Sequence, residues 1–423
     1  MKTLRILLLC VMCVLHCCAS AENLRVNLVR DQQSVQVEAE FEFNVQNVYS
    51  GSTTAFPAGR YYLSVRGGNL YLNDTQLGDK IEITRKEGGA LPKINQRRYN
   101  GRFSAVAMAG QVCLNNDVDL EFFLTSVLPG KSSPIWPDEA IKAQTVAARS
   151  YAKYMKILNK NKLYDIRADD EELPFAGLGS EKMVISKMVQ ATAGSYLLDR
   201  DGLPAMAVTT NCTGGRTESA AEVFGVAYSY LQSVQDYDQD APDSKWTYDV
   251  SPNMVRNLIE QTGEVITGKF RSIHLSPINE PGDDRTPTGR VKSILIRGEN
   301  GIARINADIL VSQLELKSNL FDIETGVPLP DKVVAPIENY YGMEVGRKEL
   351  PINWGGERPH TWQGMSKSTH ILKGTKEEKI TFRGRGKGHG VGLSVWGARG
   401  MANKKFNCAE ILAHYYPNTK LVK

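Results

Sequence analysis

Apolar and polar residues alternate in short bursts through the first quarter of the chain. LRVNLVR, SVQVEAEFEFNV, RYYLSVRGG, NLYLND and KIEIT, all within residues 24–89, keep a period of two and are separated by Gly or Asn-Asp breaks. That pattern predicts short β-strands joined by turns. KINQRRYNG (93–101) is a basic, polar link. The following RFSAVAMAGQVCLNNDVDLEFFLTSVLPG predicts another strand or two and a short helix from near Asp119.

At Trp136 the period lengthens. In WPDEAIKAQTVAARSYAKYMKIL, Pro137 takes the N1 position of a helix, and Asp138 and Glu139 fall in the first turn, where the helix dipole favours carboxylates. Ile141, Ala148, Ala152 and Met155 share one face, and Lys142, Arg149, Lys153 and Lys156 line another. The acidic stretch 161–180 predicts a loop or lid-like insertion, and EKMVISKMVQATAG a second helix ending at Gly194. Beyond it come a turn at Arg200–Gly202, a strand, a Gly-Gly turn and a further strand over 228–234. WTYDV reads as a strand before a helix capped by Ser251, and GRVKSILIRGENGIARINADILVSQL as a hairpin followed by a helix. Residues 323–369 are poorly periodic and Pro-rich, which predicts surface loops. The chain closes on a short helix, CAEILAHYYP. The fold class expected is α+β: a mixed β-sheet core with packed helices, preceded by a β-rich N-terminal region.

One stretch fits neither period. FRGRGKGHGVGLSVWGARGM (382–401) is too poor in side-chain bulk for a core strand or an ordinary helix. Its glycine density predicts a tight loop with unusual dihedrals or a close backbone approach. Arg383, Arg385 and Lys387 suit an anion, yet the run lacks the Gly-Lys-Ser/Thr of a phosphate loop.

Composition narrows the setting. The chain has 423 residues, room for two or three domains. Residues 1–21 read as a signal peptide, with Lys2 and Arg5, then an apolar segment, then Ala19-Ser20-Ala21. This predicts an exported protein of the periplasm or cell envelope, without a transmembrane segment in the mature chain; a lipid anchor at Cys17 or Cys18 is the less favoured alternative. Removing that segment takes away two basic residues and no acid, lowering the net charge from +4 to +2. No nucleic-acid partner is expected from so small a charge. Cys113, Cys212 and Cys408 remain, enough for one disulfide and a free thiol at most.

Several side chains are candidates for chemistry. Glu139 beside Trp136 is placed either to protonate a glycosidic oxygen, if its site raises its pKa, or simply to stabilise its own helix. Glu218, just beyond Cys212-Thr213-Gly214-Gly215, and Glu121 stand similarly. His389, between two glycines, is a site candidate or a turn-stabilising group, and His414 a packing residue. Cys212 with a distant His389 is weak evidence for thiol catalysis. Beyond residue 21 neither HExxH nor CxxC occurs, so no metal and no cofactor is expected.

Taken together, WPDEAIKAQTVAARSYA (136–152), NCTGGRTESAAEVFG (211–225) and GRGKGHGVGLSVWGARGMA…AEILAHYYP (384–417) resemble the SpoIID/LytB family of stage II sporulation protein D and amidase enhancers. GRVKSILIRG and LKSNLFDIE resemble its connecting region. The likeness covers roughly 115–423, read as one peptidoglycan-acting domain after a separate N-terminal region, 22–114. The resemblance implies peptidoglycan glycan strands as ligand. It implies either lytic transglycosylase action on denuded strands or a non-catalytic role in recruiting or stimulating a cell-wall amidase. Glu139, Glu218 and His389 are the catalytic candidates it leaves, with Trp136, Gln144, Arg149, Gly215, Thr217, Gly390 and Gly392 as substrate-binding candidates. The transglycosylases carry their glutamate in a Glu-Met-Pro segment before the Trp-Pro helix. Here the stretch reads VLPGKSSPIWP, and Lys131 falls at that place. The His-Ser pair before the Gly-Gly turn is replaced by Thr210 and Asn211, and the usual C-terminal glutamine by Val395.

Overall fold

A computed structural model describes residues 22–261, 269–299, 301–328, 332–338, 343–351, 360–362, 369–372 and 378–423. Residues 1–21, the stretch that the sequence reads as a signal peptide, with Cys10, Cys13, Cys17 and Cys18, lie outside them. Chain contacts divide into two compact units, residues up to 209 together with 398–423, and residues 210–397. Among the described residues, no helix is long and apolar enough to cross a membrane.

The first unit bears out the period-two reading. Its seven-stranded sheet runs Ile166–Arg167, Asn23–Gln32, Gln111–Asp119, Arg102–Met108, Lys80–Arg85, Phe43–Asn47 and Thr53–Phe56. A five-stranded sheet follows the order Thr75–Gly78, Asn69–Leu72, Gly59–Arg66, Ser34–Ala39, Lys93–Ile94. In Ser34–Ala39 the residues Val35, Val37 and Ala39 are buried while Gln36 and Glu38 face outward, as alternation requires. The helix Leu120–Val127 begins where Asp119 accepts a hydrogen bond from the Phe122 N–H at 2.9 Å. The long helix, Asp138–Leu158, buries nearly every residue from Ala140 to Ala152. Pro137 is its N-cap and not N1, with an extended ψ of 138° that puts it just outside the helix. Helices Met183–Ala191 and Cys408–Tyr415 complete the unit's helical part, the latter opened by a reciprocal Asn407–Glu410 capping box.

The second unit holds two four-stranded sheets. One has the order Trp246–Val250, Lys379–Gly384, Phe321–Pro328, His360–Trp362; the other is Ile302–Asn306, Ser293–Gly298, Phe270–His274, Thr369–Ile371. Trp246, Phe321, Ile323 and Phe382 meet Ile273, Ile294, Ile296 and Leu310 in one apolar core. The strand, the Ser251-capped helix Pro252–Gln261, the hairpin and the helix Ala307–Gln313 stand where the periodicity put them.

Three expectations fail. Residues 323–369 are not loops alone: Lys332–Glu338 and Glu344–Pro351 pair antiparallel, and strands fall at Phe321–Pro328, His360–Trp362 and Thr369–Ile371. Glu344–Pro351 is exposed along almost its whole length, so no buried face imposes alternation on its sequence. Residues 228–234 form turns and irregular chain instead of a strand. Finally, 382–401 is a loop only in its middle. Lys379–Gly384 is a buried strand and Val395–Asn403 a helix. The missing bulk is supplied by a neighbour, because the Trp246 ring occupies the space that a Cβ on Gly384 would need.

Candidate functional site

Lys131 follows the single 3₁₀ turn Leu128–Gly130 that ends the helix 120–127. Its Nζ donates to Thr209 Oγ1 at 2.7 Å and lies 3.2 Å from Glu172 Oε2. Thr209 closes the triangle by donating its N–H (2.9 Å) and Oγ1–H (3.0 Å) to the same Glu172 oxygen. Glu172 is itself positioned by the acidic loop: Asp170 Oδ1 accepts the N–H groups of Glu172 and Leu173, both at 3.0 Å. Tyr151, on the long helix, donates to Asp170 Oδ2 at 3.2 Å. Lys131 and Glu172 are 19% and 13% exposed, so the position presents a mostly enclosed ion pair. Glu172 was not singled out from sequence. In the run DDEEL only Asp170 folds back on the backbone N–H groups that follow it, which fixes Glu172 without marking it in the sequence.

Glu139 bridges two helix starts. Its Oε1 accepts from Lys142 Nζ at 2.6 Å, and its Oε2 accepts the N–H of Cys408, the first residue of the closing helix, at 2.7 Å. Desolvation pulls the carboxyl upward, but Lys142 and the Cys408 N–H together outweigh it and hold the group below its ordinary value. A general acid needs the opposite shift. These contacts tie together the starts of the two helices. Because the folded carboxyl titrates below 4.5, its contribution to stability is complete above that value and is lost as pH falls through the lowered one. The side chain is 35% exposed and solvent-screened, so Glu139→Gln is expected to cost no more than about 1 kcal/mol. Melting curves should show the wild type losing stability more steeply than Glu139→Gln once pH drops below about 4.5.

The other candidates on this helix face inward. Gln144 is buried, and Ser132 Oγ donates to its Oε1. Arg149 is wholly buried and grips Glu121 with two hydrogen bonds, at 2.8 and 2.6 Å, while donating to the Ser195 carbonyl at 2.8 Å. It turns no group to solvent. Trp136 is half-buried next to Ile135, which is 88% exposed.

In the unit 210–397 the two glycine-bearing motifs lie side by side. Cys212 and Lys387 exchange backbone hydrogen bonds, and the Glu218 N–H donates to the Gly390 carbonyl at 2.8 Å. A Cβ on Gly386 would come within 2.7 Å of the Thr213 carbonyl carbon, and one on Gly388 within 2.6 Å of Thr210 Oγ1; both residues have positive φ. Gly390, at φ +80°, leaves space taken by the guanidinium of Arg290. The glycine spacing therefore serves close packing of backbone on backbone and on a buried arginine. Gly392 is likewise left-handed, at φ +76°, and Gly215, at φ +112°, has open space beside it.

Arg290, fully buried, donates to Asn319 Oδ1 (2.8 Å) and to the carbonyls of Thr213 (3.2 Å) and Gly388 (3.3 Å). Burial pulls it down to about 10, with Glu218 opposing. Glu218, 2% exposed, accepts from the Ser219 N–H at 2.9 Å and from the Thr288 hydroxyl. Thr217 is buried, its hydroxyl bonded to the 232–234 backbone. His389 is half-exposed: Nδ1 accepts the Val391 N–H at 3.1 Å and the ring tilts against Phe224 at 5.3 Å. Thr213 is clasped by two buried carboxylates, Asp236 taking its hydroxyl and Asp238 its N–H. Burial and the neighbouring Asp236 push Asp238 up to about 6.

The fold thus gathers Gly215, Thr217, Glu218, His389, Gly390 and Gly392 in one unit, and holds Trp136, Glu139, Gln144 and Arg149 in the other. Cys113, Cys212 and Cys408 are all free thiols, with no disulfide among the described residues. Cys212 is buried and its thiol pushed up to about 12 by desolvation, which removes it as a nucleophile. Among the described residues no three His, Cys, Asp or Glu converge as metal ligands would.

Residues 109–198 match the SpoIID family model, described as stage II sporulation protein. An uncharacterised protein of Brachyspira hyodysenteriae is 25% identical over 405 residues, covering 94% of this chain and 93% of its own length. An amidase enhancer of Bacillus subtilis is 24% identical over 389 residues, which cover 89% of this chain and 52% of that protein; the chain spans about half of its length.

Proposed function

We propose that this chain, which belongs to the SpoIID/LytB family, is an exported cell-envelope protein that binds peptidoglycan glycan strands and assists a cell-wall amidase without cutting the glycan itself. One observation carries the choice. Where the resemblance expects the transglycosylase glutamate, Lys131 stands in a closed triangle with Glu172 and Thr209. A lysine whose Nζ is already engaged by Glu172 and Thr209 does not replace a carboxylic acid at a leaving-group oxygen. The remaining acid of the helix, Glu139, is kept ionised by Lys142 and a helix N-terminus. The amidase enhancer among the relatives supports the assisting role.

A second reading keeps the enzyme. Glu172 brings a carboxylate to Lys131, so the corner is not without an acid. In that case the acid would protonate the glycosidic oxygen as its bond to the anomeric carbon breaks, and the sugar's own 6-hydroxyl would close on that carbon and return its proton to the carboxylate, leaving an anhydro end. Three donors converge on one Glu172 oxygen and tie it to the protein's own groups, which weighs against this role.

The mature full-length protein should co-sediment with purified sacculi and with denuded glycan strands, and raise the rate at which a purified cell-wall amidase releases stem peptides. Failure to sediment above a bovine albumin control, together with an unchanged amidase rate, would overturn the proposal.

A further inference from the structure

Three neighbouring strands of the 210–397 unit build a cationic cleft that the glycan reading does not use. Trp246–Val250 pairs antiparallel with Lys379–Gly384, which pairs antiparallel with Phe321–Pro328. Register sets Trp246, Gly384 and Phe321 in one row, and Thr247, Arg383 and Asp322 in the next. Successive rows point to opposite faces. The first row, with Phe382 and Ile323, turns into the apolar core. The second row therefore faces out. Lys245 and Arg385 lie just beyond the paired residues Trp246 and Gly384, both line the same cleft, and the Arg385 N–H donates to the Leu320 carbonyl at 2.9 Å. The residues of this sheet end, with Ile278, line a cleft of 650 Å³.

The charges there are not equal. Asp322 is satisfied from behind by the fully buried Arg285, at 2.6 Å. Arg383 is paired with Glu324 at 2.8 Å. Lys245 and Arg385 have no carboxylate partner among the described residues, and both are exposed. Their backbones are nonetheless fixed. Ser318 Oγ donates to the Arg385 carbonyl at 2.7 Å, and Trp246 Nε1 donates to the Gly386 carbonyl at 2.9 Å, fixing the chain at and just after Arg385. Both side chains line the one cleft, so an ammonium and a guanidinium are available there to a single tetrahedral anion. A guanidinium offers two parallel donors and an ammonium a compact point charge, the combination suited to phosphoryl oxygens.

We infer that the Lys245–Arg385 cleft is a binding site for a phosphoryl group, carried on a phosphodiester polymer or a phospholipid headgroup. Lys245 and Arg385 supply the net charge. Arg383 contributes less, because Glu324 already occupies it. Arg385 and Asp322 fall within stretches that carry the family resemblance, but neither Lys245 nor Arg385 is among the residues assigned to glycan, and phosphate binding is read separately from glycan co-sedimentation.

The test titrates the mature full-length protein with inorganic phosphate, with glycerol phosphate oligomers, and with phosphatidylcholine vesicles made with and without phosphatidylglycerol. Binding should weaken as salt is raised. Lys245→Gln and Arg385→Gln should each weaken it roughly tenfold, and Arg383→Gln by clearly less. Preference for the oligomers assigns the site to a polymer, and preference for the phosphatidylglycerol vesicles to a membrane surface. The inference is overturned if none of the three probes binds, if the double variant Lys245→Gln/Arg385→Gln binds as the wild type does, or if acetate competes as well as phosphate. Circular dichroism of each variant checks that it is folded, and both substitutions are on exposed side chains.

Discussion

Gly390→Ala is expected to lower the stability of the 210–397 unit by about 3–5 kcal/mol. Two costs combine. The backbone there has φ +80°, where an added Cβ is strained, and the space that Cβ would fill is already taken by the Arg290 guanidinium. Arg290 cannot retreat cheaply. It is fully buried and holds Asn319, Thr213 and Gly388, so moving it frees a buried cation from its acceptors. Guanidinium denaturation followed by tryptophan fluorescence would read the loss as a lower midpoint. An unchanged midpoint would mean that the glycine is not required for packing.

Arg149→Met should be comparably damaging, about 3–5 kcal/mol, but in the other unit. Methionine keeps the apolar length of the stem and removes the head. That strands Glu121 and leaves the Ser195 carbonyl without its donor. The experiment also separates two roles. A residue that oriented a sugar would lose glycan affinity with the melting temperature intact; a buried tie between the long helix, Glu121 and the 189–195 segment loses the melting temperature first. Thermal melting of the variant beside glycan co-sedimentation distinguishes them.

Much of the fold was legible because periodicity reports burial directly. Val35, Val37 and Ala39 alternate because one face of their strand is core, and the long helix repeats Ile141, Ala148 and Ala152 because its inner stripe is enclosed. Glu344–Pro351 left no such trace. It is exposed on both faces, so nothing constrained its sequence to alternate. The strand ending at Gly384 escaped for another reason, since the bulk covering it belongs to Trp246, some 140 residues away in sequence.

The candidate residues were legible as motifs more than as roles. The glycines of 386–390 were readable as a sign of close approach, but sequence spacing could not say whether a ligand or the protein's own backbone approaches. Arg290 and Glu172 gave no separate signal because their meaning depends on partners far along the chain: Thr213 and Gly388 for one, Lys131 and Thr209 for the other. Glu139 showed its dipole-favoured place in the first turn. What the sequence left open was the second helix, beginning at Cys408, whose N–H it also accepts.

With Lys131 and its counter-ion standing where the resemblance places an acid, the proposed role is to hold glycan without cleaving it. The most direct measurement is mass analysis of soluble products after the mature protein is incubated with purified denuded glycan strands. The account predicts no anhydro-ended sugars above the no-protein control, while the strands remain bound. Release of anhydro ends by the wild type, abolished by Glu172→Gln or by Glu139→Gln in a variant that remains folded, would contradict it.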